Sequence, residues 1–175
     1  ANAASFSPDT TWLTFTDVKM NEVGQALVMG TVDDPGIGSS SDVVLVRLDF
    51  DRAVTYTEEV VAKRDDVLPG QSFGIFQFEP HPHALGFNGL GEAIYAIVTF
   101  DIPTQDTAVY FEDTLLAQEG AASPVAGAPW LDLSGLVRTD VNDAGNWVLR
   151  GQIDAPADSD IIIVVDGVVF AREGE

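Results

Sequence analysis

Ile161-Ile162-Ile163-Val164-Val165-Asp166-Gly167-Val168-Val169-Phe170 decides the fold class. Two runs of β-branched and aromatic residues flank Asp-Gly, a pair that tolerates the positive φ angles of a type I′ turn, so the stretch reads as a β-hairpin. Working back from it, the same grammar recurs. Trp12 to Met20 alternates, which predicts Trp12, Thr14, Thr16, Val18 and Met20 on one face and Leu13, Phe15 and Asp17 on the other. Ala26 to Val32 follows a turn at Asn21-Glu22-Val23-Gly24, and Val43 to Phe50 and Val54 to Ala62 read as the next two strands. Phe73 to Phe78, Ala93 to Phe100 and Thr107 to Leu116 continue the series, with new strands near Leu131 to Val137 and Trp147 to Ile153. Leu68-Pro69-Gly70-Gln71 is a tight turn, with Pro presetting φ and Gly accepting its positive value. No well-capped amphipathic helix interrupts the strands. The expectation is an all-β protein, an Ig-like antiparallel β-sandwich followed by a partial second β unit.

Between the two lies Gln118 to Pro129, rich in Ala, Gly and Pro and poor in anything to bury, so it reads as a linker. The expected organisation is therefore a sandwich over 1–117, a linker over 118–129 and a partial repeat over 130–175. The word "repeat" has a basis in order. Trp12-Leu13, Val18-Lys19, the strand from Gly24 to Asp33 and Ser41-Asp42-Val43-Val44-Leu45-Val46 have counterparts later in the chain. These are Trp130-Leu131, Val137-Arg138, Gly145 to Asp154 and Ser159-Asp160-Ile161-Ile162-Ile163-Val164. These features, shared in one order, favour duplication over coincidence.

The strand ending Gly30-Thr31-Val32-Asp33, the run Leu48-Asp49-Phe50-Asp51 and the turn Leu68-Pro69-Gly70-Gln71-Ser72-Phe73 resemble the bacterial immunoglobulin-like FxLYD repeat over about residues 12–100. Leu48-Asp49-Phe50-Asp51 stands where that family has Leu-Tyr-Asp, an approximate match. The resemblance implies a sandwich in secreted or surface proteins, with no assigned catalysis.

Composition excludes several functions. The 175 residues carry 28 Asp and Glu against 8 Lys and Arg, a net charge of −20. A nucleic-acid binder needs a cationic footprint, and docking on an anionic membrane recruits Lys and Arg, so neither partner is expected. No apolar run reaches the ~20 residues of a membrane-spanning helix. The small, polar start Ala1-Asn2-Ala3-Ala4-Ser5 fits a mature secreted protein, and secretion or surface display is the expected location. The chain has no Cys, which removes disulfides and thiolate chemistry.

Few residues are candidates for chemistry. His81 and His83 are the only histidines, and they alternate in a Pro-flanked loop, so both cannot easily face one ion. Asp140, Asn142 and Asp143 superficially resemble a calcium loop, but Ala144 and Gly151 occupy positions where the EF-hand pattern requires oxygen ligands. These five are the metal candidates, with calcium the alternative to no cofactor at all. The three tryptophans could stack on sugars, though Trp12 and Trp130 occupy equivalent repeat positions, which favours packing. Gly-x-Ser-x-Gly is absent, and no Lys or helix follows Gly86-Phe87-Asn88-Gly89-Leu90-Gly91 to make a phosphate loop, so no enzyme is expected. What remains is an apolar hairpin too greasy for water. The expected interface is Ile161, Ile162, Ile163, Val164, Val165, Val168, Val169 and Phe170, anchored by Trp130 and Trp147. The expected function is a non-catalytic assembly subunit that shares strands with copies of itself or other surface proteins. The alternatives are a carbohydrate- or calcium-binding accessory module and an accessory subunit of a larger extracellular or membrane-associated complex.

Overall fold

A computed structural model describes residues 10–33, 42–51, 55–79, 83–135 and 137–175. It is all-β: the described residues form fourteen strands and no helix. β1 (Thr11–Met20), β2 (Gln25–Asp33), β3 (Asp42–Asp51) and β4 (Thr55–Lys63) make a first antiparallel sheet in that order. β5 (Ile75–Phe78), β7 (Ala93–Thr99), β8 (Thr107–Phe111) and β9 (Thr114–Gln118) make a second, with β6 (Leu85–Phe87) also paired to β7. β10 (Trp130–Asp132), β12 (Trp147–Ile153), β13 (Ile161–Val165) and β14 (Val168–Arg172) make a third, with β11 (Arg138–Val141) beside β12.

The second sheet lies between the other two. Its Tyr95, Ile97, Ala108 and Tyr110 pack against Leu27, Met29, Leu45 and Ala62 of the first sheet. Its Ile94, Ala96, Val109 and Ala117, on the opposite face, pack against Trp130, Leu149, Ile153, Ile162 and Val164 of the third. A sheet covered on both sides needs apolar residues at consecutive positions, which explains the unbroken run Ala93-Ile94-Tyr95-Ala96-Ile97. Tyr95 and Tyr110 stack with centroids 6.0 Å apart, and their hydroxyls donate to the carbonyls of Glu112 and Pro69.

Three sequence expectations change in detail. Two β-bulges in β1 break the expected alternation, so Trp12, Phe15, Val18 and Met20 share the face that Val32, Gly30, Val28 and Ala26 occupy across the pair. Thr107 to Leu116 is two strands, because Glu112 adopts φ +49° in a turn. The strand expected over Leu131 to Val137 is instead β10 and β11, either side of a turn. The segment 118–129, read as a linker, is pinned at both ends. Gly120 N donates to the Trp130 carbonyl, Trp130 N donates to the Ala121 carbonyl, Ala122 bridges Pro129, and the Ser123 hydroxyl donates to the Ala128 carbonyl. Its small residues pack against the third sheet rather than dangling, as buried Ala128 shows.

The first and third sheets are one unit repeated, register for register. In the first, Trp12 faces Val32, Met20 faces Ala26, Val28 faces Val46 and Leu45 faces Ala62. In the third, Trp130 faces Ile153, Val141 faces Trp147, Leu149 faces Val164 and Ile163 faces Ala171. Both slip at the same place, between Leu45 and Val46 and between Ile163 and Val164. The turns match as well: Asn21 Oδ1 accepts from Gln25 N, and Asn142 Oδ1 accepts from Asn146 N. Each unit also places a glycine under a tryptophan ring. A Cβ on Gly30 would lie 3.1 Å from Trp12 Cζ3, and one on Gly151 would lie 2.9 Å from Trp130 Cζ3. The two units nevertheless use opposite faces. Trp130, Ile153, Ile162 and Val164 pack on the second sheet, whereas their counterparts Trp12, Val32, Val44 and Val46 form a separate cluster on the far side of the first. The relation between the units is a step along the stack, not a two-fold.

Candidate functional site

The terminal hairpin is built as its sequence demands. Asp166 and Gly167 take φ +48° and +82°, the two positive values of a type I′ turn. The Asp166 carboxylate accepts from Trp147 N at 2.9 Å and Asn146 Nδ2 at 2.8 Å, clipping the hairpin to the turn before β12. Pairing then divides its side chains. Ile162, Val164 and Val169 turn inward with Trp130 and Trp147. Ile161, Ile163 and Val165 turn outward and are half-buried, while Val168 and Phe170 are 69% and 76% exposed. β14 pairs only with β13, so its other edge is open. The residues expected as one interface are thus split between a core and an outer surface.

That outer surface is shaped and charged. A depression of about 290 Å³ is lined by Arg150, Ile161, Ile163, Ala171, Arg172 and Glu173. Arg172 Nε donates to the Ser159 carbonyl at 2.7 Å, which fixes its stem along the strand end. Arg138 stands directly opposite Arg150 on the neighbouring strand. Sequence reasoning missed this pair. The signal was there: the chain has only 8 basic residues, and these two lie symmetrically, four positions before Asn142 and four after Asn146.

The metal candidates do not converge. His81 lies outside the described residues. His83 is exposed and its carbonyl accepts from Thr139 N at 2.8 Å, joining β6 to β11. Asp140 Oδ1 accepts from Val141 N, Asn142 Oδ1 from Ala144 N and Asn146 N, and Asp143 Oδ1 from Gly89 N. Among the described residues no three His, Cys, Asp or Glu side chains gather as a metal site would require. Trp130 is buried in the core, and Trp147 is partly buried against it.

One buried acid sits at the seam between the second and third sheets. Glu119 is 4% exposed, and its Oε1 accepts from Leu133 N at 2.8 Å. Burial, and then the hydrogen-bonded Asp106 carboxyl beside it, push its pKa up to about 7. A second polar tie spans the first and second sheets. Arg47 binds Glu59 at 2.8 Å and Glu112 at 2.9 Å, and Glu112 Oε1 also accepts from Ala93 N.

The chain matches no protein-family description, no characterised protein and no solved structure. Among the described residues no helix is long and apolar enough to cross a membrane.

Proposed function

We infer that the protein is a non-catalytic structural subunit, secreted or displayed on a surface, that joins neighbours through its C-terminal sheet. One observation carries this reading. The third sheet, like the first, is covered by the second on one face only, and it ends in an open apolar edge strand, β14. Natural edges are usually blunted by charge, proline or a covering loop, and an exposed Val168 and Phe170 beside unpaired backbone invite a further strand. The acidic surface favours solubility before assembly, and the resemblance to FxLYD repeats points the same way. Light scattering at moderate salt tests it. The native chain is expected to form species heavier than 18.7 kDa as concentration rises, and Phe170→Lys, at an exposed position, is expected to keep the fold and abolish them. A strict monomer at every concentration would refute self-association.

A further inference from the structure

The second sheet is the same unit again, so three copies of one unit follow in series. β5 and β6 together stand where β1 stands, both paired to β7, and the pairing slips at one place in each unit, after Trp12, Ile75 and Trp130. The opening turns agree. Asn21, Asn88 and Asn142 each accept at Oδ1 from the backbone N four residues on, and Gly24, Gly91 and Gly145 follow at positive φ. The closing hairpins agree too. Leu45 faces Ala62, Val109 faces Ala117 and Ile163 faces Ala171, and one residue then bulges in each, Val61, Leu116 and Phe170.

Both internal joints are made alike. The first unit turns Leu27, Met29, Leu45 and Ala62 to the second, and the second turns the equivalent Ile94, Ala96, Val109 and Ala117 to the third. The bulged Val61 and Leu116 pack into these joints as well. Each time the receiving unit presents its opposite face, so the series ends on unlike faces. On the third unit the donating positions are Val148, Arg150, Ile163 and Ala171, with exposed Phe170 at the bulge. An arginine at such a place buries its stem and keeps its head in water. On the first unit Val32, Val44 and Val46 are buried beside Trp12 and Leu48, but along β1 the receiving positions Phe15, Val18 and Met20 are 65%, 49% and 69% exposed. Their equivalents Phe78, Leu85 and Phe87 pack into the first joint, and Leu133, Thr139 and Val141 are buried at the second.

We propose that the outer face of the third sheet docks on the β1 stripe of a second copy of the chain, repeating between molecules the joint made twice within one. The proposal rests on the reading of the C-terminal sheet as the assembly surface and names the surface that meets it. Phe15, Val18 and Met20 are apolar side chains left in water at positions that a preceding unit covers elsewhere in the chain. A head-to-tail joint uses one end of each molecule and leaves the other free, so rows grow unless they close into a ring.

Sedimentation at moderate salt over a range of concentrations tests the joint. Phe15→Lys blocks one end and Phe170→Lys the other; both positions are exposed, and an unchanged circular dichroism spectrum checks each fold. The native chain is expected to form rows that lengthen with concentration, and each variant alone to stay at 18.7 kDa. An equal mixture of the two variants is expected to give a species of twice that mass and nothing heavier, because one sound joint remains between them. Met20→Lys, further along the stripe, is expected to behave as Phe15→Lys does. Assembly of Phe15→Lys and Met20→Lys at native strength overturns the proposal and leaves the assembly reading standing on another contact, strand addition at β14. A mixture of Phe15→Lys and Phe170→Lys that stays monomeric also overturns it. A native chain that is monomeric at every concentration overturns the assembly reading and the proposal together.

Discussion

Glu119 shows how one side chain can tie stability to pH. Its carboxylate is buried at the join of two sheets, accepts from Leu133 N, and has a pKa raised from 4.5 to about 7. The folded state therefore holds this proton more tightly than the unfolded chain does. The contribution is fully present below about 4.5 and is lost as pH rises through about 7. A shift of that size sets an upper bound of about 3 kcal/mol. Glu119→Gln keeps the acceptor for Leu133 N, replaces the titrating proton with an amide donor toward Asp106, and cannot ionise. Urea unfolding between pH 4.5 and 8 should show the native protein losing stability across the window relative to the variant. At pH 8 the variant is expected to be the more stable, and parallel profiles would refute the assignment. Nothing in the sequence distinguishes Glu119 from the other acids, because burial of a charged group at a seam depends on which strands meet there.

At the scale of elements, the terminal hairpin combines what could and could not be read. Its Asp-Gly turn was legible because turn type is a local property of two residues, and the positive φ angles at Asp166 and Gly167 follow from it. Asp166→Ala removes the acceptor shared by Trp147 N and Asn146 Nδ2 and strains a left-handed position, so a loss of about 1–2 kcal/mol is expected in denaturant unfolding. Asp166→Asn, which tolerates that φ and keeps an acceptor, should lose less than half as much. The strands and the order of the repeat were legible for the same local reason. Side-chain facing in β1 was not, since the bulges that bring Phe15 level with Trp12 leave no mark in the alternation. Nor was the division of the hairpin's side chains, because Ile162 and Ile163 are chemically identical and only the sheet beneath separates them. In the segment 118–129, small residues suit a linker, and they also suit the close passage that brings Ala128 into the core.

For the whole molecule, the second sheet belongs to two cores at once, so neither flank can be lost quietly. Leu149 is fully buried against it in the third sheet, and Leu149→Ala is expected to cost about 2–5 kcal/mol. Because the cores share Ile94 to Ile97, unfolding followed by tryptophan fluorescence and by far-UV circular dichroism should move together to lower denaturant as one transition. Two separated transitions would show that the third sheet melts alone. The shared sheet has a further consequence, for the order in which the chain is made. Ala96 and Ile162, members of one core cluster, are 66 residues apart, and synthesis proceeds N-terminus first at ~5–20 residues per second. For several seconds, therefore, the growing polypeptide carries a finished sandwich with one bare, oily back. A folding helper that masks such surfaces has its natural moment then, and slow translation of the last third would prolong the hazard.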